Sequence, residues 1–189
     1  MNVELARMLP PRVLFGPQRP VDTGVGSPPR FTTLLLLAAL AVLLQVTFGQ
    51  AWTLRGAHIS LMTVLVVWTG LRCGPTTGGW LGLLGGVLED ALGGGGANVL
   101  ALTIVGFLSG LLSSRFFADS LTAVVASVAG GTIARNAITY AVLEVAYGDR
   151  GSYHRIAHAT AWEVVLNCAF SALVVLALRW WSDRRPAGA

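Results

Sequence analysis

Lysine is absent from this chain of 189 residues: all thirteen basic residues are arginine, set against nine acidic ones. Charge of either sign is scarce at 12%, while 54% of residues are hydrophobic and the mean hydropathy is +0.67. A soluble domain carries roughly a quarter charged residues, so a large solvated domain is excluded and an integral membrane protein is expected. The net charge of +4 and the pI near 9.8 would suit nucleic acid. The arginines, however, flank apolar runs, where membrane topology accounts for them, and no nucleic-acid partner is expected. Cysteine is limited to Cys73 and Cys168, predicted at different depths, so neither a disulfide nor a metal site is expected. Proline is nearly confined to residues 1–30, which hold six of the eight. That stretch has no apolar core, is not a signal peptide, and reads as a disordered cytoplasmic tail.

Catalytic patterns are missing as well. The four glycines at 93–96 follow no strand and precede no Lys-Ser or Lys-Thr, so they read as an outer turn rather than a phosphate loop. His154 and His158 share helical spacing, but Arg155 stands where a zinc helix would carry glutamate. The serines of 109–127 sit among small residues, with no nucleophile elbow and no neighbouring histidine. No catalytic, cofactor or metal site is expected, and the chain reads as a non-enzyme.

What the sequence does contain is six apolar segments, near 31–52, 57–73, 76–92, 97–114, 120–146 and 160–181. They predict an all-α membrane domain of six transmembrane helices over 31–182, with a short cytoplasmic tail at 183–189. An inside N-terminus puts Arg7, Arg12, Arg19, Arg30, Arg72, Arg115, Arg179, Arg184 and Arg185 in the cytoplasm, leaving Arg55, Arg150 and Arg155 outside. That arrangement satisfies the positive-inside rule with both termini cytoplasmic. No internal repeat of a transporter kind is visible.

Gly78, Gly82, Gly86 and Asp90 recur every fourth residue, so a helix presents three bare backbone patches and a carboxylate on one face. Gly106 and Gly110 form a second small-residue pair, and Ala126, Gly130 and Ala134 a third, predicting close packing of the third, fourth and fifth segments. Each ridge could serve packing or a partner. Arg135 falls inside the fifth segment, where an unpaired arginine costs about 2.5–3.5 kcal/mol, so a counter-charge is required. Asp90, Glu144 and Glu163 are the expected partners, and Asn98, Asn136 and Asn167 join them in a polar cluster of the outer half. Three roles stay open for that cluster: a structural knot, a ligand pocket, or a contact for a partner's transmembrane helix.

Gly82-Leu83-Leu84-Gly85-Gly86-Val87-Leu88-Glu89-Asp90-Ala91-Leu92, then Gly96-Ala97-Asn98-Val99-Leu100-Ala101-Leu102 and Val105-Gly106-Phe107-Leu108-Ser109-Gly110, resemble the rod shape-determining protein MreD family. The family pattern is a glycine-spaced helix closing on leucine-x-aspartate, a glycine-rich turn and a Gly-x-Asn-Ala-Leu type of opening. Gly74-Pro75, and Glu163 to Asn167 followed by apolar residues and terminal arginines, add to the likeness. Ala57-His58-Ile59-Ser60-Leu61 stands where many members carry Pro-Asp or Pro-Asn, so no role of that position carries over. The resemblance implies a non-enzymatic scaffold of the bacterial cell-elongation machinery in the inner membrane. Its implied partner is MreC, with MreB, RodA and a class B penicillin-binding protein in the wider complex. It also implies a fold similar to the S components of energy-coupling-factor vitamin transporters, and such a substrate-binding subunit is the alternative function.

Overall fold

The computed structural model describes residues 30–49, 53, 56–93, 96–113, 120–148 and 153–183. The two predicted tails, Arg30 and Asp183 apart, lie outside the described residues. Among the described residues the chain forms six helices and no strand: α1 (Phe31–Gly49), α2 (Leu61–Cys73), α3 (Pro75–Gly93), α4 (Asn98–Ser113), α5 (Leu121–Tyr147) and α6 (Tyr153–Asp183). Three of them contain apolar stretches long enough to cross a membrane, Phe31–Phe48, Leu121–Ala146 and Ile156–Trp181. This is a helical membrane protein. The last helix begins at Tyr153 rather than at 160, because Tyr153-His154-Arg155 is too polar for a hydropathy window yet has no helix breaker.

Local sequence explains the helix ends. Ser60 caps α2, its side chain accepting from the Thr63 N–H, and Ser120 does the same for α5 through Ala123. Gly74 alone joins α2 to α3: its φ of +87° is open to glycine, and Pro75 supplies a first helical residue that needs no N–H partner. Gly148 ends α5 in the left-handed conformation.

The short helix α2 runs through the middle of the bundle. On one side Met62 and Val66 join Leu34, Ala38 and Val42 of α1, Leu81 of α3 and Leu102 of α4 in one apolar cluster. On the other side Val64, Val67 and Leu71 meet Val105 of α4 and Val124 and Val128 of α5, with Phe170 and Val175 of α6 behind them. Hydroxyls inside these layers bond the preceding turn of their own helix, as Ser109 does to the Val105 carbonyl and Thr132 to that of Val128, so neither hydroxyl is stranded in apolar surroundings.

Candidate functional site

The glycine ridge is spent inside the molecule. Gly78, Gly82 and Gly86 face α4, where any side chain would strike the backbone: a Cβ at Gly82 would run into Leu102, and one at Gly86 would stand 2.5 Å from the Val99 Cα. Gly106 meets Gly78 from the other helix and Gly110 meets Pro75. Gly70 completes the contact, since a Cβ there would lie 2.7 Å from the Gly106 carbonyl oxygen. Of the two roles read from the sequence for the Gly78–Gly86 face, packing or a partner, the structure shows packing against α4. The third ridge departs from expectation. Ala126 and Gly130 of α5 line an open groove of about 540 Å³ against α4 instead of packing on it.

Asp90 ends the same ridge in a different role. One carboxylate oxygen accepts from the Asn98 backbone N–H at 3.2 Å and from its side-chain amide at 2.9 Å, and the other accepts from the Val99 N–H at 2.9 Å. The side chain thus caps α4 from the last turn of α3. It is not a counter-charge of Arg135, as the sequence led us to expect. Glu144 is not one either. It lies nine residues along α5 from Arg135, about 13 Å at the helical rise, while the guanidinium points to the level of the α2 and α4 starts.

The partner of Arg135 is Glu89, which sequence reasoning passed over. Arg135 Nη2 donates to Glu89 Oε2 at 2.7 Å and to Asn98 Oδ1 at 3.0 Å. Nη1 donates to Ser60 Oγ at 2.6 Å and to Thr63 Oγ1 at 3.2 Å. Glu163 Oε1 stands 3.6 Å from Nη1, an ion pair without a hydrogen bond. Arg135, Glu89 and Glu163 are each 7% exposed, so these charges act in a medium that screens them little. Gln45 of α1 donates to the other Glu89 oxygen at 2.9 Å, drawing the first helix in.

A second branch ties α5 to α6. Asn136 donates to Glu163 Oε2 at 2.7 Å and to Thr160 at 3.2 Å. Asn167, fully buried, donates to Thr132 at 3.1 Å and accepts from the Ser60 N–H at 2.9 Å. The structure therefore brings together Asn98, Arg135, Asn136, Glu163 and Asn167, holds Asp90 at the edge and leaves out Glu144. It adds Gln45, Ser60, Thr63, Glu89 and Thr160. A signal for Glu89 was present: it continues the Leu81, Gly85 stripe of α3, whose members are all buried.

Every helix contributes a side chain to this layer, which lies where α1 and α3 end and α2 and α4 begin. Chemically it is a set of charges, amides and hydroxyls bonded across the helices. Beside it, the C-terminal half of α5 and the N-terminal half of α6 enclose an open groove of about 550 Å³ lined by Asn136, Tyr140 and Thr160 among apolar residues. Comparison with family models, with curated proteins and with solved structures finds no match for this chain.

Proposed function

We propose that this protein is a non-enzymatic scaffold of the bacterial cell-elongation machinery, of the MreD kind, binding MreC and helping couple MreB filaments to the RodA and penicillin-binding-protein synthase. In this reading all six helices lie in the inner membrane with both termini in the cytoplasm. The likeness covers about residues 31–185 and is strongest over 78–110, where α3 and α4 pack with glycines on their seam and Asp90 bonds to the start of α4. The observation that carries the scaffold reading over a transport one is the Arg135 node. Its buried charges bond to one another across the helices, which favours a rigid body presenting fixed outer faces.

One observation keeps the S-component reading: the groove between the outer halves of α5 and α6, of a size for a vitamin-like ligand. Purification of the tagged protein from its native membrane in mild detergent, with mass spectrometry of co-purifying proteins and small molecules, separates the two. Recovery of MreC with the peptidoglycan synthase is the expected result. A bound vitamin with an ATPase-linked membrane subunit would replace the scaffold reading with transport.

A further inference from the structure

Arg135 keeps one donor unused. Its terminal nitrogens reach Ser60, Thr63, Glu89 and Asn98, but the buried Nε–H meets no protein acceptor. Among the described residues two more buried side-chain atoms share that condition, Thr139 Oγ1 and Glu163 Oε1. Thr139 stands one turn beyond Arg135 on the same face of α5. Glu163 Oε1 lies 3.6 Å from the guanidinium, close but beyond hydrogen-bond range.

The chemistry of the three groups is complementary. The guanidinium Nε–H only donates, the carboxylate oxygen only accepts, and the threonine hydroxyl does both. A cation there would meet the guanidinium, and an anion would meet the carboxylate. A neutral O–H group satisfies all three, and buried water commonly makes about three such bonds. We propose that this corner between α5 and α6 is a binding site for one hydroxyl group. Its oxygen accepts from Arg135 Nε–H, its O–H donates to Glu163 Oε1, and the Thr139 hydroxyl donates to the same oxygen. The hydroxyl belongs either to a water molecule or to a lipid headgroup reaching in from the groove beside it. Asn136 lines that groove and also donates to Glu163 Oε2, so groove and corner meet at one carboxylate.

Magnetisation transfer in solid-state NMR tests this with the full-length protein labelled with ¹⁵N-arginine and reconstituted in phosphatidylglycerol vesicles, whose headgroups carry hydroxyls. The Arg135 Nε resonance is assigned through its Ala134 neighbour. Rapid transfer from water to Nε is expected equally in phosphatidylcholine vesicles, whose headgroups carry no hydroxyl, slowed at least twofold in Thr139→Val and unchanged in Thr139→Ser, which keeps the hydroxyl. Transfer that instead appears only in the phosphatidylglycerol vesicles supports the site and assigns its hydroxyl to lipid. Absence of transfer from both sources overturns the proposal, as does an identical build-up in Thr139→Val.

Discussion

Deleting the Arg135 side chain would strand Glu89 and Glu163 together in a medium of low dielectric, which is a larger penalty than the loss of any hydrogen bond. Breaking a buried ion pair at one partner typically costs about 3–5 kcal/mol. Arg135→Ala is accordingly expected to lower the thermal midpoint in detergent more than any single apolar truncation on α5. Adding Glu89→Gln to Arg135→Ala removes one stranded charge and should recover part of the loss. Additive losses in that double variant, measured by scanning fluorimetry, would contradict the pairing. Asp90 acts on a smaller scale. Asp90→Ala removes three hydrogen bonds at the start of α4 and should cost about 1–2 kcal/mol, while Asp90→Asn keeps one acceptor and loses less. The need for a counter-charge to Arg135 was legible in the sequence, and so was Glu163 as a candidate. The choice of Glu89 over Asp90 was not, because adjacent residues differ by about 100° around the helix and only the packed bundle shows which direction faces α5.

Among the helices, glycine has opposite meanings on α3 and α5. Gly82 sits against the Leu102 backbone, so Gly82→Ala forces the α3–α4 seam apart and is expected to destabilise by about 1–3 kcal/mol. At Gly130 an added methyl would meet no atom within 4 Å, so Gly130→Ala should be neutral or stabilising, by up to about 1 kcal/mol from helix propensity. Equal midpoints for the two variants would show that the ridge does not pack as described. Spacing at every fourth residue revealed that α3 carries a packing face. It did not reveal that Ala126 and Gly130, with the same spacing, would lie on an open groove, since period alone identifies a face and not what covers it.

Over the whole molecule, the order and number of the helices follow from hydropathy, while their unequal lengths do not. α2 has 13 residues and α4 has 16, near 20 and 24 Å, against 27 residues and about 40 Å for α5. Polar Ser60 and Asn98 stop the short helices where the node needs them. The proposed topology predicts that, in a variant without native cysteines, a cysteine at Ala146 reacts with an impermeant maleimide added to intact cells and one at Thr76 does not. The reverse pattern would invert the chain in the membrane.

Burial also stops at the node. Beyond Arg135 on α5 and before Glu163 on α6, no side chain among those described is fully buried. The last turns of α5 and the first of α6 thus lack a buried layer of their own, whereas α3 and α4 are locked backbone to backbone. Two cooperative units follow: backbone amides of 138–146 and 156–160 should exchange with solvent deuterium through a local opening, while those of 79–88 and 101–109 wait for the entire bundle to come apart.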